Sequence, residues 1–124
     1  MNFSKNSGNI LITTGVIHNI FGVVMGWPVL VDIGRSGFVN SVTSEHDRNA
    51  TFWFLFGGFM MIMLGKLMQN CTDSGWLLPK WLGVSLLILS LIGCIMMPVS
   101  GFWLVIPQAL LILNVNKKRR GQLT

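Results

Sequence analysis

The sequence predicts an all-α polytopic membrane protein: four transmembrane helices in one compact bundle, with both termini cytoplasmic. Three observations carry that prediction. The composition suits a bilayer, since 52% of the 124 residues are hydrophobic and only 10% are charged, against about 25% charged in an ordinary soluble domain. Mean hydropathy is +0.63. The apolar residues fall in long uncharged runs, and the basic residues cluster at one set of run ends. The net charge of +5 is therefore read as topology, and it excludes a nucleic-acid-binding surface.

The first run, Asn6 to Val31, has no charged residue over 26 positions, more than the roughly 20 that cross a ~30 Å hydrocarbon core. Its span is placed at 10–30, with Pro28 expected to end the helix. The stretch exceeds a signal-peptide core and lacks an A-x-A-like cleavage site, so the helix is expected to be retained. The second run, Asn49 to Gly65, reaches span length at 49–68 if Lys66 snorkels to the headgroups. A third run, Trp81 to Asn116, holds 36 residues and as one helix would measure about 54 Å. It must turn back. Met97-Pro98-Val99-Ser100-Gly101 supplies a helix breaker, a capping hydroxyl and a flexible glycine, giving spans at 78–97 and 100–116. The whole chain, 1–124, then forms one four-span membrane domain with an outer loop at 32–48 and a basic tail at 117–124.

Orientation follows from charge. With cytoplasmic termini, Lys5, Lys66, Lys80, Lys117, Lys118, Arg119 and Arg120 lie inside and only Arg35 and Arg48 outside, as the positive-inside rule expects. Tryptophan agrees: Trp27, Trp53 and Trp103 fall at the outer interface, and Trp76 and Trp81 at the inner one. The tail Lys117–Arg120 serves as a stop anchor that could also attract anionic lipid.

Inside a membrane, small and polar residues mark helix–helix faces. Gly15, Gly22 and Gly26 fall on one stripe of the first span, flanked by His18 and Asn19. Gly58 and Gly65 on the second span and Gly83 and Gly93 on the third extend the pattern. His18 is the one ionisable group at mid-membrane depth, a functional candidate by that position alone, although an imidazole can equally serve as an interhelical hydrogen-bonding link. Thr14, one turn below, is a candidate acceptor for it. Pro107 is expected to kink the fourth span and free the carbonyl of Trp103, next to the polar Gln108.

The ligand-binding candidates are therefore His18, Asn19, Trp53, Trp103 and Gln108, converging on an outward-facing pocket. Asp32, Arg35 and Arg48 form a candidate gate above it, because functional residues concentrate on loops. Glu45 and Asp47 suit helix capping, with Ser44 and Asp47 spaced as a capping box.

No metal site is expected. The histidines are far apart, Glu45, His46 and Asp47 point in different directions, and the methionines lack regular ligand spacing and read as packing. Cys71 and Cys94 lie at opposite depths and are expected to be free.

Thr51-Phe-Trp-Phe54 with Gly57-Gly58, Leu78-Pro79-Lys80-Trp81-Leu82-Gly83, Pro98-Val-Ser-Gly-Phe-Trp103 and His18 together resemble a family of small bacterial four-helix membrane proteins of uncharacterised function. The resemblance spans nearly the whole chain and implies a multi-pass location in the bacterial cytoplasmic membrane. It implies no activity. Size and span count also suggest the small multidrug-resistance exporters, but those use a glutamate in the first helix, where this chain has no carboxylate.

The leading expectation is a binding or transport-accessory protein for a small apolar or amphipathic molecule. The alternative is a small structural subunit against a larger membrane complex. An enzyme using His18 lacks a visible second catalytic group. No cofactor is identified, and the expected partners are the bilayer, the ligand, and a second copy or another membrane protein.

Overall fold

A computed structural model describes residues 5–42, 45–98 and 101–122. The described residues form five α-helices and no strand: α1 (Ser7–Met25), α2 (Trp27–Arg35), α3 (His46–Asp73), α4 (Lys80–Met96) and α5 (Val105–Gln122), the last preceded by a 3-10 turn, Gly101–Leu104. Of these, α1 and α3 are long and apolar enough to cross a membrane, while α4 is apolar but shorter.

Glycine sets the first pairing. A Cβ added to Gly15 would stand 2.8 Å from Ile62 Cγ1 and 2.9 Å from the Gly58 carbonyl, and one added to Gly22 would stand 2.7 Å from the Phe54 ring. Gly26 meets Thr51 in the same way. Residue numbers rise along α1 as their partners fall along α3, so the two helices run antiparallel with their backbones in close approach. The stripe begins earlier than the sequence suggested, at Gly8, which lies against the backbone of Gly65 and Gln69.

A second antiparallel pair joins α4 to α5, with Gly83 against Ile112 and Leu113, and Gly93 against the Phe102 ring. The two pairs meet through Leu11, Met68 and Ile112, with Met61, Leu64, Leu78, Leu82 and Leu86 packed around them. These contacts lie in the half of the bundle where α1 begins and α5 ends. Large apolar side chains elsewhere are exposed, among them Ile20, Phe21, Phe59, Leu89 and Ile95.

Two prolines act differently from expectation. Pro28 does not terminate a helix: the first ends at Gly26, and Pro28 occupies the first turn of α2, where its missing N–H has no intrahelical partner to lose. The expected outer loop is thus helical over its first residues, 32–35. Pro107 likewise sits in the first turn of α5, so it starts the helix instead of kinking it. The 3-10 turn absorbs the change of direction before it.

The turn between α4 and α5 falls where it was expected, although Val99 and Ser100 lie outside the described residues, as does Ser44 of the suggested capping box. Glu45 is the N-cap of α3 but its side chain makes no capping bond. Residues 117–122 of the basic tail continue α5 as helix. At the other end of α3, Gly75 at φ +77° allows the chain to turn, and the Trp76 N–H bonds the Cys71 carbonyl while the Gly75 N–H bonds that of Thr72. This closure, a Schellman motif, ends α3 and turns the backbone toward α4.

Candidate functional site

Helix α1 carries two stripes. Gly8, Gly15, Gly22 and Gly26 face α3, and Ser7, Leu11, Thr14 and His18 form a second stripe roughly 70° away at 100° per residue. The second stripe borders the α4–α5 pair.

On it, His18 Nε2 lies 3.0 Å from the Phe54 carbonyl oxygen, and the imidazole stacks on the Phe54 ring at 3.9 Å and 13°. A carbonyl only accepts, so Nε2 donates, and in the neutral ring Nδ1 is left with an acceptor lone pair. Among the described residues no carboxylate bonds the imidazole. Thr14 does not serve it either. The Thr14 hydroxyl donates to the Ile10 carbonyl at 2.9 Å and accepts from Gln108 Nε2 at 2.9 Å. That bond ties α1 to α5 and is needed because Gln108 is only 1% exposed. Gln108 Oε1, by contrast, has no hydrogen-bond partner among the described residues.

Asn19 belongs to the glycine seam. A Cβ on Gly58 would overlap its Oδ1, so the amide oxygen rests on the Gly58 Cα hydrogens, a weak C–H···O arrangement. It has no conventional donor. Trp53 and Trp103 lie outward, 60% and 56% exposed. Trp53 packs edge-on against Phe52 and Phe56, and Trp103 Nε1 donates to the Pro98 carbonyl at 2.9 Å. The structure thus gathers His18 and Asn19 at α3 and Gln108 at Thr14, and leaves both tryptophans on the periphery.

Of the gate residues, Asp32 and Arg48 are joined. Arg48 Nε donates to Asp32 Oδ2 at 3.1 Å, and the guanidinium also reaches the Ser41 carbonyl and Ser36 Oγ. Glu45 stands 3.5 Å from Nε. The hydrogen bond to Asp32 raises the guanidinium pKa most, desolvation opposes it in part, and the charges of Asp32 and Glu45 add to the rise. Arg48 therefore clasps α2 and the turn after it to the start of α3. Arg35 lies exposed in the last turn of α2.

Two bridging amides, the buried Gln69 and the half-buried Asn116, went unnoticed in the sequence. Gln69 accepts from the Asn9 N–H at 3.0 Å and donates to the Lys5 carbonyl and to Asp73, holding the start of α1 against the end of α3. Its position four residues after Gly65, on the Gly58–Gly65 stripe, was the available signal. Asn116 Nδ2 donates to both the Leu78 and Ile112 carbonyls at 3.0 Å. Near it lies a cavity of about 50 Å³, lined by Ser7, Thr72, Trp76, Leu78, Ile112 and Asn116 among others, at the end of the bundle opposite the candidates.

Both cysteines are free. No three His, Cys, Asp or Glu side chains gather among the described residues.

Residues 2–119 match the model of a family of unknown function, DUF6463. No curated protein matches the chain, and no solved structure does.

Proposed function

We propose, for a chain that belongs to this family of unknown function, a multi-pass protein of the bacterial cytoplasmic membrane that binds a small amphipathic molecule between its two helix pairs. In this reading α1, α3, α4 and α5 each cross the bilayer, both termini are cytoplasmic, and the protein acts in binding or as an accessory to transport. The exposed apolar side chains on α1, α3 and α4 support it, because lipid would cover surface that water would not tolerate.

The observation that carries the binding role is the buried Gln108 Oε1, which has no donor. In an apolar surrounding an unpaired carbonyl oxygen is costly. It sits beside Thr14, one turn from His18, whose Nδ1 offers a second acceptor. A molecule entering from the His18 side with a hydroxyl or amine group would satisfy such acceptors, and its apolar part would rest on the exposed rings of Phe21 and Phe54. Asp32, Arg35 and Arg48 are the gate in this reading, with the Asp32–Arg48 pair drawn closed.

The test is native mass spectrometry of protein purified in mild detergent. A co-purifying amphipath is expected on the wild type and absent from Gln108→Leu and His18→Ala at undiminished abundance. Equal retention by all three, or none by any, overturns the binding role. Impermeant thiol labelling of single cysteines placed at each terminus tests the topology, and labelling on opposite faces would sink it.

The exposed cluster of Phe52, Trp53 and Phe56 on α3 favours a second reading, a small subunit docked on a larger membrane complex. Crosslinking in native membranes would then yield one dominant heterologous partner.

A further inference from the structure

The cavity at the terminal end is separate from the proposed outer-half site, and its lining has a definite chemistry. Ser7 is 2% exposed, borders the cavity, and its Oγ has no hydrogen-bond partner. The other polar groups are already partly committed. Thr72 Oγ1 donates to the Met68 carbonyl at 2.9 Å, and both amide hydrogens of Asn116 are directed at the Leu78 and Ile112 carbonyls. What remains for an occupant is acceptor lone pairs on Thr72 and Asn116, the indole N–H of Trp76 at the rim, and one buried hydroxyl, Ser7, that both donates and accepts.

That set discriminates among headgroups. An anion would need several donors, and the buried part of the lining offers only the Ser7 hydroxyl, the Trp76 indole N–H lying at the exposed rim. A cation would meet no carboxylate in the lining, where Asp73 is the one acidic residue within two positions of it. Asp73 is itself engaged by Gln69. A neutral hydroxyl fits: it donates to an acceptor and accepts from Ser7. The volume of about 50 Å³ accommodates a terminal CH₂OH group, being several times the 10–15 Å³ one water requires. Leu77, Leu111 and Val115 continue the wall in apolar form, and Leu77 and Trp76 are exposed at its rim.

We infer that this cavity is a binding site for the hydroxyl end of a neutral amphipath, such as a monoacylglycerol, with Ser7 as its hydrogen-bonding anchor and the acyl chain leaving past Leu77 and Val115. The tail lies against the apolar wall and the indole of Trp76, which is why an alkyl-bearing molecule is preferred to water alone.

The experiment compares three amphiphiles with one acyl chain and different heads, 1-monooleoylglycerol, oleic acid and oleylamine, by native mass spectrometry on the full chain in detergent. Monooleoylglycerol is expected to give the highest occupancy. Ser7→Ala should lower that occupancy about 5-fold, the scale of one hydrogen bond, and Val115→Phe, which fills the cavity, should abolish it even if the serine variant folds poorly. Displacement by 1-propanol would assign the site to free short alcohols, and persistence in its presence to the acyl-bearing lipid. Equal occupancy by the three heads overturns the inference, as does wild-type occupancy in Val115→Phe.

Discussion

Replacing Gly65 by alanine and, separately, Gly57 by alanine makes the same chemical change on one helix and predicts opposite results. Both positions are inside α3, so each gains the roughly 0.5–1 kcal/mol by which alanine exceeds glycine in helical preference. At Gly57 a Cβ meets nothing within 4 Å, and that gain stands alone. At Gly65 the new carbon would stand 2.8 Å from the Gly8 carbonyl oxygen, the Ile12 backbone N and Ile12 Cγ1. Ordinary contact needs about 3.5 Å. Two of the three atoms are backbone, so no rotamer change relieves the overlap and α1 must move away. Because Gly8, Gly15 and Gly22 hold equally close contacts, that movement loosens the whole seam. Overpacking of this kind costs about 1–3 kcal/mol, which exceeds the helical gain and leaves Gly65→Ala less stable by about 1–2 kcal/mol. The separation between the two variants is then the overpacking cost itself, about 1–3 kcal/mol, or roughly 3–15 °C in Tm at roughly 3–5 °C per kcal/mol for a chain of this length. Thermal unfolding followed by circular dichroism in one detergent measures it. A Gly65→Ala protein as stable as Gly57→Ala would refute the close backbone approach of α1 and α3.

Three further outcomes are expected. Thr14→Val should lower stability by about 1–3 kcal/mol, because it strands the buried Gln108 amide, while Gln108→Leu removes donor and unpaired acceptor together and should cost less; denaturant titrations that rank them in reverse contradict the assignment. Arg48→Ala should increase amide hydrogen exchange from Arg35 to Val42, because it removes the bonds to Asp32, Ser36 Oγ and the Ser41 carbonyl together; unaltered exchange there would remove the clasp. In nitrogen NMR of the neutral form, His18 should carry its proton on Nε2, and a ring protonated on Nδ1 would contradict the bond to the Phe54 carbonyl.

The features that a helical period can reveal were legible in the sequence. All-helical structure, the glycine stripe of Gly15, Gly22 and Gly26, the α4–α5 turn near Pro98 and the burial of Gln108 follow from composition and spacing. Local breaks were less legible, because proline either ends or begins a helix depending on one turn of register, as Pro28 and Pro107 both demonstrate. Long-range polar bonds were barely legible, the place of Gln69 on the Gly58–Gly65 stripe being the one signal. Gln69 and Asn116 lie near helix ends where solvent could satisfy them, and only the folded chain shows that the amides bridge to backbone 64 and 38 residues away. The same applies to Ser7, an ordinary residue at the start of a helix until α3 and α5 enclose it.

The closing of α4 on α5 involves a link of eight residues, 97–104, half of them in the 3-10 turn, whereas α1 reaches α3 by way of α2 and the turn clasped by Arg48. Short loops close at low entropic cost, and each pair possesses its own tight seam. The molecule is consequently organised as two hairpins that could mature separately during synthesis, the N-terminal one first, before joining laterally. Their junction rests on a small apolar cluster and the Gln108–Thr14 bond, so it is where sub-global opening would begin and where a cell's quality-control proteases would first find the chain.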